Sequence, residues 1–587
     1  MWLRKGRFVM SFLIEAKNEK IRYKYSDRLT PYFSSMSVNS QFVKIFSGEF
    51  HTTQRYFETL DWQGEIDFIK DVKDSFLLVT IDKLNKKIYF ANSKYGIEPL
   101  YYACIGKEVI ISDDFWEVAN LVCKSIEDID IDSVKEIMNG CYPIFDGTFI
   151  KYVKVLNPAH VCTFDFAIGL RIEKYFEVKY NPDEKMSVEE VRDSIGAHID
   201  SCIEKIKIEC GDVKYAYGLS GGLDSRLLSY YTRDMKIESF IIGNPKPHKL
   251  FLARDHYNAR KLAEIYKQPH TECAWNKEIF SKIKELDLRY NPTCTAQFFK
   301  GQYDTDFDIL ITGGNGYIVG STIPDKIKSM STVELANVLR QMGRDFIPNT
   351  QLCLHINTLF RVLFKKKTRF TSNRSWFKRI YNDDIENSIS SKLVKYIKEE
   401  VNNGKSNFDI YEEYFHIIGA RNKFGGFESF CGTKRSFSIY NPHLFDASFT
   451  WSFESLFERR ALKELIIDKM PQASYVKEQR YEGSIRGDKM SLFNKLCNIV
   501  MYVICGNGSE MVNSKFRYVR NLFVKDMLTE CNWFYDIFPI KSDINHICKF
   551  DNKYAVTKIW KIKNIMDLLE TKGYTSFLMD KEFEIVD

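Results

Sequence analysis

The sequence predicts an α/β chain: a sheet-rich N-terminal part, then a doubly wound parallel sheet with extra helices after it. Three observations predict this. Up to about residue 178 the apolar residues alternate in short runs broken by turn residues. Lys214 to Leu228 reads as strand, glycine turn and helix, and Ile237 to Gly243 follows as another buried strand. Between the two parts, a polar turn at 181–185 leads into a long striped helix.

Taken in order, Phe76 to Ile81 and Lys87 to Ala91 flank the turn Asp82-Lys83-Leu84-Asn85-Lys86, a hairpin signal. Leu100 to Ala103 and Glu108 to Ser112 bracket Gly106 as a second hairpin. Ser187-Val188-Glu189-Glu190 is a capping box, after which Val188, Val191, Ile195, Ile199, Ile203 and Ile206 stripe one face of a packing helix.

In the stretch Leu219-Ser220-Gly221-Gly222-Leu223-Asp224-Ser225, two glycines permit a sharp reversal between strand and helix. Amides at the turn and at the helix N-terminus point outward, the helix dipole adds positive potential, and the two serines add donors, so phosphate oxygens fit there. Asp224 beside phosphates calls for an intervening divalent cation, which implies magnesium. Asp308 to Gly320, with Thr312-Gly313-Gly314 at its turn, reads as a second strand, glycine turn and helix. Gly404-Lys405-Ser406 lies in a polar stretch and reads as a loop, not as a Walker sequence.

A chain of 587 residues is too long for one core and fits two or three domains. Its net charge of +6 is small for that length and gives no argument for nucleic acid. The 14 cysteines are scattered without a Cys-x-x-Cys pair, which counts against zinc ribbons and thiol redox motifs and fits reduced thiols. The apolar run Ile499 to Cys505 is too short to span a membrane. Glu15 and Lys17 interrupt the basic N-terminal stretch before any cleavage site, so no signal peptide is expected, and a cytoplasmic location is. Arg361 to Arg379 interleaves basic and aromatic residues and reads as a solvated face or insertion, the alternative being an anionic partner.

The Ser220-Gly221-Gly222-x-Asp224-Ser225 loop resembles the pyrophosphate loop of the N-type ATP pyrophosphatases, and specifically that of the asparagine synthetase family, with its β-lactam synthetases and lasso-peptide cyclases. That resemblance implies an N-terminal glutaminase-like Ntn-type αββα sandwich and a PP-loop ATP pyrophosphatase domain. Ser47-Gly48-Glu49-Phe50, Phe76 to Tyr102, Thr148-Phe149-Ile150, Leu156 to His160 and Glu173-Lys174-Tyr175-Phe176 look like segments of that glutaminase domain. The implied division is 1–180 glutaminase-like, 187–490 ATP-binding and 491–587 a helical C-terminal extension.

By the same resemblance, Leu219, Ser220, Gly221, Gly222, Asp224 and Ser225 would hold pyrophosphate, with Asp224 on magnesium. Ile242 and Gly243 would lie along the adenosine, and Thr312, Gly313 and Gly314 would form the second loop. The implied cofactors are ATP and Mg2+. The implied substrates are a small-molecule or peptide carboxylate and an amine or ammonia, with no membrane partner, no nucleic acid and a homodimer as the candidate assembly.

The departures from the pattern set further expectations. Such glutaminases use an N-terminal cysteine, whose free amine serves as base; here residue 2 is Trp, and a start at Met10 would expose Ser11. Ser47, Ser93 and Lys94 replace the pattern's Asn, Asp and Arg, so glutamine hydrolysis is expected to be lost. Tyr317 and Ile318 occupy the acidic positions of the second loop, and Tyr481 the lysine position that neutralises the leaving pyrophosphate; Arg480 or Lys477 is expected to reach instead. An ATP-dependent amide-forming ligase is therefore expected, and a catalytically weakened nucleotide-binding scaffold is the alternative. A thiolating enzyme acting on RNA is a third, opposed by the absence of paired cysteines.

Overall fold

The structure is a computed structural model that describes residues 11–26, 33–48, 62–72, 74–96, 99–140, 143–243, 254–274, 307–314, 319–320, 327–342, 383–419, 435–440, 442–476 and 485–486, with 545, 562–563, 566 and 584–585 beyond them.

The N-terminal part contains β1 (Ser11–Lys17), β2 (Lys20–Ser26), β3 (Phe33–Val38), β4 (Phe42–Gly48), α1 (Trp62–Asp71), β5 (Phe76–Asp82), β6 (Lys87–Asn92), β7 (Tyr101–Ile105) and β8 (Glu108–Ser112). It continues with α2 (Phe115–Val122), α3 (Ile131–Gly140), β9 (Val153–Val155), β10 (His160–Asp165) and β11 (Gly169–Lys174). Both expected hairpins form. At the first, Asp82 closes the turn by accepting from the Asn85 backbone N–H at 3.1 Å. At the second, Gly106 takes the left-handed conformation, with φ +63°.

Alternation along these strands decides the layering. One sheet has the order β2-β1-β8-β7-β9 and the other β11-β10-β6-β5-β4-β3, both antiparallel. Phe12, Ile14, Val109 and Ile111 of the first share one core with Val43, Ile45, Val79 and Phe90 of the second. On the outer faces, Ile69 of α1 packs with Phe46, Phe76 and Leu78, and Phe115 of α2 meets Tyr101 with ring centroids 5.6 Å apart. The layers are α, β, β, α.

The second part begins with α4 (Val188–Cys210), whose six striped residues are all buried and whose Ser187–Glu190 capping box is formed. It continues with β12 (Tyr215–Gly218), α5 (Leu223–Tyr231), β13 (Ile237–Gly243), α6 (Arg254–Tyr266), β14 (His270–Ala274), β15 (Ile309–Thr312), α7 (Thr332–Met342), α8 (Asp383–Asn402), α9 (Asn407–Gly419), β16 (Arg435–Ser438), α10 (Pro442–Ser448), α11 (Phe453–Leu456) and α12 (Arg460–Lys469). Strands β14-β13-β12-β15-β16 form a parallel sheet in that order, with β12 central. The chain runs outward from β12 through β13 to β14, then returns to lay β15 on the other side. The C-terminal ends of β12 and β15 therefore form a topological switch point, the usual ligand crevice of such sheets. Gly404 and Lys405 lie in the turn between α8 and α9, as the polar reading expects.

One element departs from the helical reading of 491–587. A final strand, β17 (Glu584–Ile585), pairs antiparallel with β2 at Tyr23 and Arg22 and so extends the first sheet. Two residues carry no periodicity, and only the open edge of β2 gives them a partner.

Candidate functional site

The strand–turn–helix at 215–231 lies at the switch point. Leu219, buried, continues β12 by donating its N–H to the Phe240 carbonyl at 2.8 Å. The loop then reverses around its two serines. The Ser220 N–H donates to Ser225 Oγ at 3.1 Å, the Gly222 N–H donates to Ser220 Oγ at 3.1 Å, and the two hydroxyl oxygens are 3.0 Å apart. The hydroxyls expected to face phosphate thus also hold the loop's shape.

Each glycine answers a contact. A Cβ at Gly221 would sit 2.6 Å from Asn258 Nδ2 on α6. Gly222 is the N-cap of α5 and offers no side-chain oxygen, so the first-turn amides of the helix lack the usual cap. An uncapped turn of this kind leaves its amides open to an anionic oxygen.

Arg226 fixes the turn from below. Fully buried, its Nη1 donates to the Ala473 and Val476 carbonyls at 2.7 and 2.8 Å, and its Nη2 donates to the Gly221 carbonyl at 3.1 Å. The segment that leads directly into Lys477 is therefore anchored to the first turn of α5. Lys477 and Arg480 themselves, like Tyr317, Ile318, Tyr481 and the basic run 361–379, lie outside the described residues.

The second glycine loop meets the first. Thr312 ends β15, the Gly314 N–H donates to its Oγ1 at 3.4 Å, and Ser438 Oγ donates to the Gly314 carbonyl at 2.7 Å. A Cβ at Gly313 would lie 2.6 Å from Asp224 Cβ. Gly313→Ala is therefore expected to displace Asp224 and, on the reading that the two loops hold a nucleotide, to lower ATP affinity at least about tenfold, about 1.4 kcal/mol, with a thermal midpoint close to wild type. Titration calorimetry on the variant checks it, and unchanged affinity would refute the contact. Ile242 and Gly243 end β13 on the same sheet edge, past Phe240, which pairs with Gly218.

Asp224 has partners that the sequence reading did not include. Tyr440 donates its hydroxyl to Asp224 Oδ1 at 2.6 Å, and the Arg459 guanidinium forks onto both carboxylate oxygens, Nη1 reaching Oδ2 at 3.2 Å and Nη2 reaching Oδ1. Burial, then the nearby Asp224 carboxylate, pushes the Tyr440 hydroxyl well above its ordinary range, so it remains a donor. Burial works against the charge on Arg459, but Asp224 and Tyr440 outweigh it and hold its pKa above the ordinary value. Among the described residues no three His, Cys, Asp or Glu side chains gather to hold a metal. Asp224 is the one acid these two loops present among the described residues, and Arg459 and Tyr440 already engage both of its oxygens.

Elsewhere, Lys94, which stands at an arginine position of the glutaminase pattern, pairs with Asp446 on α10 at 3.3 Å and lies 4.4 Å over the Phe176 ring. Ser47 is buried at the end of β4, and the buried Ser93 Oγ has no hydrogen-bond partner among the described residues. His256 and His270, to which the sequence assigns no role, hold Glu272 at 3.2 Å and Ser239 Oγ at 2.8 Å, with burial pushing His270 down to about 4.

The sheet and its switch-point loop define a class: an α/β fold with an uncapped helix N-terminus at the crevice. Two curated proteins then match stretches of the chain. One is asparagine synthetase [glutamine-hydrolyzing] 1 of Bacillus subtilis, 23% identical over 177 residues, covering 29% of this chain and 27% of that protein. The other is a probable asparagine synthetase [glutamine-hydrolyzing] of Acanthamoeba polyphaga mimivirus, 24% identical over 275 residues, covering 44% of this chain and 47% of that protein. The matches thus span about a quarter and about half of the relatives' lengths, and they bear out the resemblance to asparagine synthetases. No protein-family model matches the chain. Among solved structures, an NH3-dependent NAD synthetase of Campylobacter jejuni overlaps 41% of this chain and 96% of its own at 15% identity, with a TM-score of 0.20, too slight to bear on the fold. Among the described residues no helix is long and apolar enough to cross a membrane.

Proposed function

We propose that the chain is an ATP-dependent amide-forming ligase resembling asparagine synthetase. The observation that carries this reading is the uncapped N-terminus of α5 behind Ser220-Gly221-Gly222 at the switch point of a parallel sheet. The β and γ phosphates of ATP sit against Leu219 to Gly222 and the first turn of α5, the adenosine lies along Ile242 and Gly243, and Thr312 to Gly314 close the other side. A substrate carboxylate oxygen attacks the α-phosphorus, the bond to the bridging oxygen breaks, and pyrophosphate leaves. Ammonia or an amine then attacks the acyl carbon, loses a proton, and expels AMP. Lys477 or Arg480, following the anchored segment 473–476, offers a cation to the departing pyrophosphate.

The division into 1–180, 187–490 and 491–587 belongs to the same proposal, as do the absence of glutaminase activity, a cytoplasmic location and a homodimer. A second reading, a nucleotide-binding scaffold without turnover, is favoured by one observation: Asp224 is already occupied by Arg459 and Tyr440.

Pyrophosphate release by the purified protein with ATP and a panel of carboxylates, aspartate first, tests both. For the ligase, wild type releases pyrophosphate and Asp224→Ala lowers the rate at least about a thousandfold, about 4 kcal/mol. Binding without release over the whole panel selects the scaffold, and absence of both overturns the nucleotide site.

A further inference from the structure

Resting on the reading that this loop binds a nucleoside polyphosphate, we propose that Arg459 is the resident cation of the site, placed by Asp224 in the position a carboxylate-bound magnesium would take. The two loops meeting at the switch point contribute a single described acid, Asp224, and its charge is answered by the chain itself. A carboxylate has about four lone-pair positions. Three hydrogen bonds, two from Arg459 and one from Tyr440, already use most of them.

The backbone around Arg459 is held in a conformation that side chains seldom adopt. Glu458 and Arg459 both take left-handed values, φ 52° and 61°, in the kink between α11 and α12. Such strain persists only where the surroundings over-determine it, and it gathers at ligand sites. The surroundings here include the second loop. Gly320, at φ +103°, lies so close that a Cβ would come within 2.0 Å of the Leu456 carbonyl oxygen, three residues before Arg459. The segment carrying the arginine is thus docked on the exit of one phosphate loop while its guanidinium is fixed to the first turn of the other.

The guanidinium also has capacity left. Of its five N–H groups, those engaged on Asp224 come from Nη1 and Nη2, while the buried Nε has no hydrogen-bond partner among the described residues. An orphaned donor on a held cation beside an uncapped helix N-terminus is matched by an anionic oxygen. Asp224 is then a positioning residue and Arg459 a phosphate-binding one. This accounts for an acid beside phosphates without requiring a divalent ion between them.

The test is ATP binding measured by titration calorimetry, with excess magnesium and with EDTA, on wild type and Arg459→Gln. Wild type is expected to keep its affinity within about threefold on chelation, and Arg459→Gln to lose at least tenfold in EDTA, with part regained when magnesium is added, because Asp224 is then free to hold it. Tenfold or greater loss by wild type on chelation would overturn the proposal while leaving the nucleotide site intact, and this arm does not depend on how the variant folds. Equal affinity of wild type and Arg459→Gln in EDTA would also overturn it. No ATP binding by wild type in either buffer would remove both this proposal and the nucleotide reading.

Discussion

Arg226→Leu is expected to destabilise the second part of the chain by about 4 kcal/mol. Leucine replaces much of the buried stem, so the packing loss is small; the cost comes from the carbonyls left behind. Those of Ala473, Val476 and Gly221 belong to buried residues and lose the guanidinium donors that reach them at 2.7, 2.8 and 3.1 Å. Each unsatisfied buried acceptor costs about 1–3 kcal/mol, and since they share one donor group the sum is less than additive. Arg226→Lys should recover only part, because one ammonium cannot reproduce a planar fork between three acceptors. Urea denaturation followed by near-ultraviolet dichroism reads the effect. A change below about 1 kcal/mol would mean that the clamp does not hold the loop.

A comparable loss is expected for Glu413→Leu at the contact between the two parts. Glu413 on α9, only 8% exposed in its side chain, receives Lys174 from the end of β11 and Lys405 from the turn before α9, each at 2.5 Å. Removing the carboxylate leaves two largely buried ammonium groups without it, a break that costs about 3–5 kcal/mol. Lys405 keeps Glu400, which places the effect toward the lower end.

The pH dependence has a definite sign. Burial opposes the charge on Glu413, but Lys174 and Lys405 outweigh it and hold its pKa below the ordinary value. A depressed folded-state pKa means that the unfolded chain binds the proton more readily. The stabilisation is therefore complete above the unfolded value of about 4.3 and is lost as pH falls through the lower folded value. Thermal midpoints between pH 7 and 3 should show wild type losing this increment at the acid end and Glu413→Gln lacking it throughout. Parallel curves for the two proteins would contradict the assignment.

Much of the fold was legible because its signals are local. The Asp82 turn, Gly106, the Ser187–Glu190 box and the α4 stripe each act within a few residues, where spacing alone determines which groups can meet. The phosphate-type loop was legible for the same reason, since strand, glycines and helix start are consecutive. Arg226 left a faint signal, a cation among Leu223, Leu227 and Leu228 on a buried helix, but nothing named its acceptors.

The α/β class, the strand–turn–helix at Ser220 and the likeness to asparagine synthetases all follow from residue order alone. What Asp224 faces depends on packing between remote segments: Tyr440 lies 216 residues along the chain and Arg459 lies 235. The same holds for Lys94 on Asp446, separated by 352 residues, and for β17 on the edge of β2. The physical reason is common to all of them. Hydrogen bonds within a turn or helix follow from residue spacing, whereas an ion pair or an edge strand forms only where packing brings remote segments to one place and removes the water that would otherwise satisfy them.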